Sequence, residues 1–173
     1  MEWPGDLPQL TSDYEPEEAH AIGFGRVCVV VVGGECFAVD LRHVREVFEL
    51  DSVTPVPGMP ASLLGVANLR GTIIPLADLR EMLGVSLATS PRYVIVVRHE
   101  ALQVGLLIDG VPEIRTIYDE DQLGMADSHA VSAHRFLSGL IRVDNRVSGM
   151  LQIGSLLAAI EGAAKEESIA GNR

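Results

Sequence analysis

Lysine is almost missing from this chain: Lys165 is its one lysine in 173 residues, and 13 basic side chains face 24 acidic ones, for a formal net charge of −11. A surface so poor in cations offers no patch to neutralise phosphates, which argues against nucleic acid and anionic membrane as partners and leaves proteins. Aromatics are scarce too, at 5%. Burial must therefore rest on Val, Leu and Ile packing in strands and short helices. The longest apolar stretches, such as Val27–Val32 and Leu63–Ala67, fall far below the roughly 18 residues of a membrane-spanning helix. Met1 is followed by Glu2 and Asp6, without the basic stretch and apolar core of a secretory signal, so the expected location is the cytoplasm. Cysteine is limited to Cys28 and Cys36, flanking Gly33-Gly34. A tight hairpin there sets Cys36 opposite Val31 or Val32 and away from Cys28, so two free thiols are expected.

Catalytic patterns are missing as well. There is no GxSxG elbow, HExxH pair, GxxxxGK[ST] loop or GxGxxG turn. His129, His134 and Asp127 do not fall at a spacing that stacks on one helical face, so no metal site is expected. Asp119-Glu120-Asp121 lacks the glycine and closing glutamate of a calcium loop and reads as a solvated acidic loop. His43, flanked by Arg42 and Arg45 with no nucleophile nearby in sequence, reads as a surface histidine. No cofactor is implied.

What is present reads as short strands with a few helices. Residues 1–21 hold six acids, no Lys or Arg, and Pro4, Pro8 and Pro16, and read as a disordered tail. Arg26–Val32 and Cys36–Val39 form a hairpin around Gly33-Gly34. Asp40 is placed to cap a short helix in which Leu41, Val44, Val47 and Phe48 pack while Arg42, Arg45, Glu46 and Glu49 face outward. Thr54–Pro60 contains three prolines and is a stiff connector. Arg92–Val97 with Gln103–Ile108 makes a second hairpin, and Val111–Ile117 a further strand. Tyr118–His134 reads as a loop, and Leu140–Val143 with Val147–Ile153 as a third hairpin. Ser155 is placed to cap a last helix, with fraying expected after Gly162. The order repeats strands and helix twice, divided near Leu83–Arg92. Strands this short suggest small barrels, and without a strand–long helix–strand crossover a nucleotide-binding α/β fold is disfavoured.

The most informative stretch is Gly65–Gly84, GVANLRGTIIPLADLREMLG. Asn68–Gly71 suits a turn, Thr72–Leu76 a strand, and Pro75 predicts an edge position or a strand end. Asp78 with Glu81 forms an Asp variant of the capping box, and Gly84 stops the helix. Arg70 presents a rigid fork of donors from an exposed turn, and Glu46 is the acid nominated to meet it.

Phe37–Glu46 (FAVDLRHVRE), Thr54–Pro57, Gly65–Gly71, Ile74–Arg80 and Gly105–Val111 resemble the CheW family of bacterial chemotaxis over about Ile22 to Gly162. The resemblance implies a mainly β fold of two interlocked small five-stranded β-barrels with a few short helices, between an acidic tail at 1–21 and a frayed tail at 163–173. It implies a non-enzymatic adaptor joining the regulatory domain of a CheA-type histidine kinase to the signalling tip of methyl-accepting chemotaxis receptors, recruited to arrays at the inner membrane face. Leu41, Val44, Glu46, Gly65, Arg70 and Ile73 fall at family contact or support positions, with Val111 and Ile114 on the second subdomain and Glu46–Arg70 as an ion pair. Gly154 stands where members often carry an acid, and the acidic N-terminus is unusual. A scaffold of a type IV pilus or gliding pathway is the alternative, and a small acidic enzyme using Asp78 or Asp109 the remote one.

Overall fold

Burial alternates with a period of two along Val44–Glu49 and is continuous through the middle of Tyr93–His99 and Leu102–Ile108, the patterns of strands covered on one face and on both, and the computed structural model, which describes residues 25–123 and 134–170 and side chains up to 162, is built mainly of strands. β1 (Gly25–Val32) and β2 (Glu35–Asp40) lead through a 3-10 turn, Leu41–His43, into β3 (Val44–Glu49). β4 (Leu63–Leu69), β5 (Thr72–Ala77) and α1 (Arg80–Leu83) come next, then β6 (Tyr93–His99), β7 (Leu102–Ile108) and β8 (Glu113–Ile117). A 3-10 turn at Asp119–Asp121 enters β9 (Gln122–Leu123), and another at His134–Phe136 enters β10 (Leu137–Val143), β11 (Arg146–Leu151) and α2 (Ile153–Ala170).

The strands form two sheets, one of six in the order β8-β1-β2-β11-β10-β9 and one of five in the order β3-β6-β7-β5-β4. The fold is mainly β with two subdomains. The sheets curl without closing into the two five-stranded barrels that the resemblance implies, because no ladder joins β8 to β9 or β3 to β4. Nor do they divide near Leu83–Arg92. The first two and the last four strands build one sheet, and the middle five build the other. β2 meets β11 in parallel through Phe37–Gly149 and Ala38–Met150, and β5 meets β7 in parallel through Leu76–Gly105 and Ala77–Leu106. All other neighbours are antiparallel.

Each sheet buries two faces. Between the sheets lie Val30, Val39, Ile95 and Leu106, covered by Leu156, Leu157 and Ile160 of α2. The concave side of the six-stranded sheet encloses Val27, Ala38, Ile117, Ile141, Val143 and Met150. The concave side of the five-stranded sheet encloses Ala67, Ile74, Leu76, Val94, Val96 and Leu107.

Several local expectations are corrected. The helix expected after Asp40 is one 3-10 turn, whose Arg42 N–H donates to Asp40 Oδ1 at 2.9 Å, followed by a strand. Val44, Val47 and Phe48 fit a period of two as well as a helical one, and β6 supplies the partner that decides the matter. Pro75 lies in an interior strand, yet just outside its two-residue pairing with β7, so its missing N–H breaks no bond there. The expected capping box is absent: the N-cap of α1 is Leu79, and Asp78 before it accepts from the Arg80 N–H without Glu81 reciprocating. α2 begins at Ile153, which places Ser155 inside its first turn, and its backbone continues past Gly162 to Ala170. The hairpin around Gly33-Gly34 is as expected, with Cys36 opposite Val31 and both thiols free. Residues 1–21, Asp127 and His129 lie outside the described residues, as does the His134 side chain.

Candidate functional site

The β4–β5 turn is two residues long, Arg70 and Gly71, with φ of 51° and 84°. Positive φ at both positions is the turn geometry that matches the twist of a hairpin, and an arginine is rarely found there. Asn68 supports it, its Oδ1 accepting from the Gly71 N–H at 2.9 Å. The turn holds the Arg70 guanidinium out from the strands, where Nη2 meets Glu46 Oε1 at 3.0 Å. Glu46 gets there through a β-bulge. The register shifts between Val44 and Glu46, so Val44 packs on the inter-sheet core while Glu46, opposite Val96, joins Phe48 on the concave side.

β3 and β4 are the two edges of the five-stranded sheet. The expected Arg70–Glu46 pair therefore spans the seam where the curled sheet comes back on itself. The connector between β3 and β4 covers the rest of that seam. Thr54 and Val66 exchange both backbone hydrogen bonds at 2.9 Å, outside any ladder. Gly65 makes this approach possible, since a Cβ there would sit 2.5 Å from the Thr54 carbonyl oxygen.

Arg70 keeps 80% of its side chain exposed and Glu46 30%, so the pair is worth about 0–1 kcal/mol and acts mainly to orient the fork. Beside it Ile73 is 60% exposed on the outer face of β5. Leu64, the extra residue of a second bulge, and Val56 of the connector are exposed apolar residues that sequence reading missed. The Gly65 glycine was the available signal for that bulge. Leu41 and Val44 are half-buried against the inter-sheet core, so they support the surface more than they form it. Ile114, 49% exposed on β8, and Val111, 69% exposed in the connection leading to it, belong to the other sheet's side of the fold.

Several other polar groups are committed to structure. Asp78 accepts from Arg80 Nε at 2.9 Å and Nη2 at 2.6 Å, and these bonds hold its carboxyl below the usual carboxylate range. The same guanidinium donates to the Leu87 and Thr89 carbonyls. Asp109 Oδ2 accepts from the Gly34 N–H, tying the β1–β2 turn to the end of β7. His43 Nδ1 sits 3.2 Å from the Arg98 carbonyl oxygen. Among the described residues no three His, Cys, Asp or Glu side chains converge as a metal set.

A family model described as a CheW-like domain matches residues 26–161, a span that takes in both sheets and the seam. The chain belongs to the CheW-like family. A relative named chemotaxis protein CheW from Rhizobium meliloti (strain 1021) is 32% identical over 145 residues, covering 82% of this chain and 94% of the relative. The crystal structure of the scaffolding protein TtCheW from Thermoanaerobacter tengcongensis matches with a TM-score of 0.65 and 26% identity, covering 78% of this chain and 88% of that one. Protein PilI of Pseudomonas aeruginosa is 37% identical, but over 82 residues and 46% of each chain. Within the CheW-like span the elements that position Arg70 come from the middle of the chain, whereas Val111 leads into a strand of the other sheet.

Proposed function

We propose that this CheW-like protein is a non-enzymatic adaptor of chemosensory signalling, coupling the regulatory domain of a CheA-type histidine kinase to the signalling tips of chemoreceptors. The single observation that carries the reading is an anchored, exposed arginine beside exposed apolar side chains on a family-matched scaffold. A guanidinium already oriented by Glu46 loses little freedom on docking, and Ile73 supplies apolar area next to it. Ile114 on β8 and Val111 in the connection leading to it provide a second contact region, which is what coupling two partners needs. Of the two carboxylates named for the remote enzymatic alternative, Asp78 is held by Arg80 and one oxygen of Asp109 accepts from the Gly34 N–H. No described helix is long and apolar enough to cross a membrane. The adaptor reading places the protein in the cytoplasm, recruited by its partners to arrays at the inner membrane face.

The partial similarity to PilI favours a second reading within the same fold, a scaffold for a pilus-associated or gliding chemosensory pathway. Both readings are tested by pull-down with a kinase regulatory domain and a receptor signalling-tip fragment, taken from the chemotaxis and then the pilus pathway. Wild type binds both partners of one pathway. Arg70→Ala or Val111→Asp loses at least one partner while melting like wild type. Equal binding by all three proteins refutes the surface assignment, and failure of wild type in both pathways refutes the adaptor reading.

A further inference from the structure

The concave face of the six-stranded sheet is only partly filled. Val27, Val29 and Val31 share that face of β1, Ala38 and Cys36 that of β2, and Met150 and Ser148 that of β11, by the alternation of each strand. Val27, Ala38 and Met150 belong to the closed apolar cluster at one end. At the other end the face opens into a cavity of about 410 Å³, lined by Val29, Val31, Val143, Cys36 and Ser148, with exposed Val111 at its rim.

The cavity wall holds a polar group that the fold leaves unsatisfied. Ser148 is 1% exposed and is the one buried polar residue among those described, yet its Oγ has no hydrogen-bond partner. Buried hydroxyls are ordinarily paired, because nothing else replaces their lost hydration. Cys36 stands beside it. β2 and β11 run parallel with Phe37 against Gly149 and Ala38 against Met150, so Cys36 and Ser148 are the next pair in line on the same face. The Cys36 thiol is free and half-buried. At the rim Arg115 pairs with both Glu113 and Asp144, and Arg146 adds a second cation, so the opening carries balanced charge.

We propose that this cavity binds a small neutral aliphatic molecule bearing one carbonyl oxygen, its chain against the valines and its oxygen on the Ser148 hydroxyl. The volume lies within the range of ligand pockets, which begins at roughly 300 Å³. A staggered turn about the serine χ1 presents the hydroxyl to an occupant. A charged head gains no net attraction from the balanced rim and would lose hydration among the valines, and a purely apolar occupant leaves the hydroxyl unpaired. The site uses neither Arg70 nor Ile73 and shares only its rim residue Val111 with the proposed contact surface, and its test varies none of the three, so its outcome is distinguishable from that of the adaptor reading.

The test titrates 2-hexanone into the full chain and follows it by saturation-transfer NMR. In parallel, the rate at which iodoacetamide alkylates Cys36 is read by peptide mass spectrometry. Cys28, whose thiol is buried and pushed up by that burial, serves as the unreactive reference. Saturable binding is expected, with Cys36 alkylated about tenfold more slowly at ten times Kd, by mass action. Ser148→Ala weakens binding about fivefold, the effect of one ordinary hydrogen bond. Val31→Phe fills the cavity and abolishes binding. Should that variant fail to fold, the Ser148→Ala affinity and Cys36 protection in wild type decide the question. Absence of saturable binding, or binding that leaves Cys36 alkylation unchanged, overturns the site. Equal affinity in Ser148→Ala overturns the ligand class, and hexanoate binding as tightly as 2-hexanone does the same.

Discussion

Replacing Gly65 with alanine tests whether the seam of the five-stranded sheet is held by the connector crossing it. The added Cβ would lie 2.5 Å from the Thr54 carbonyl oxygen, 2.9 Å from the Thr54 carbonyl carbon and 2.8 Å from Val53 Cγ1. Two of these atoms are backbone and cannot swing aside, so the connector must lift. Lifting it breaks the paired Thr54–Val66 hydrogen bonds, worth about 1 kcal/mol net each. Displacing Val53 from the concave core adds about 1–3 kcal/mol of overpacking cost. The sum is about 3–5 kcal/mol. With a urea slope near 2 kcal/mol/M, the unfolding midpoint should fall by about 1.5–2.5 M. Gly110→Ala is the control, because a Cβ there meets nothing within 4 Å and no positive φ is involved. It should leave the midpoint within about 0.3 M of wild type, consistent with the small effect of open surface sites. A Gly65→Ala protein that unfolds with the control would refute the claim that close approach of Thr54 fixes the seam.

Other expectations follow from the same geometry. Arg70→Ala should change stability by less than about 1 kcal/mol in the same denaturation assay, since the guanidinium is mostly hydrated, while Arg70→Lys should recover little partner binding because it lacks the fork. Ile73→Asp should leave the melting curve close to wild type and weaken partner capture, as its side chain is exposed and packs on neither core cluster of its sheet. Asp78→Asn should destabilise by about 1–3 kcal/mol at neutral pH by leaving the half-buried Arg80 without its carboxylate. The sign with pH is fixed by the depressed folded pKa of Asp78. Its contribution is full above the unfolded value near 4 and is lost as pH falls through the folded one, so wild type and Asp78→Asn should converge in stability below about pH 4. Parallel acid-unfolding curves for the two proteins would sink that assignment.

Local chemistry was readable from the residues, and long-range pairing was not. Gly33-Gly34 announced the first hairpin and placed Cys36 opposite Val31, because a two-residue turn fixes the register of everything after it. The exposed fork at Arg70 and its acid partner were legible for a similar reason. β3 was not, since Val44, Val47 and Phe48 satisfy two periodicities and only the presence of β6 across the ladder selects one. The bulge that turns Glu46 inward has no marker in the sequence. Sheet membership was equally hidden: Phe37 meets Gly149 through backbone hydrogen bonds, which say nothing of side-chain identity beyond the need for a glycine where a Cβ would strike Leu137. The unpaired hydroxyl of Ser148 belongs to the same class, visible only once the surrounding strands of its sheet enclose it.

The parallel meeting of β2 and β11 sets the order in which the chain completes itself. Strands β3–β7 contain all five members of one sheet, so that unit has every partner it needs as soon as Ile108 leaves the ribosome. The hairpin made first, β1–β2, has to wait on both flanks until β8 and β11 arrive. Synthesis and folding therefore run out of step, with the earliest strands among the last to be enclosed and the inserted sheet serving as the platform on which they are held. Contacts that span so much of the chain make closure slow and leave strand edges open meanwhile.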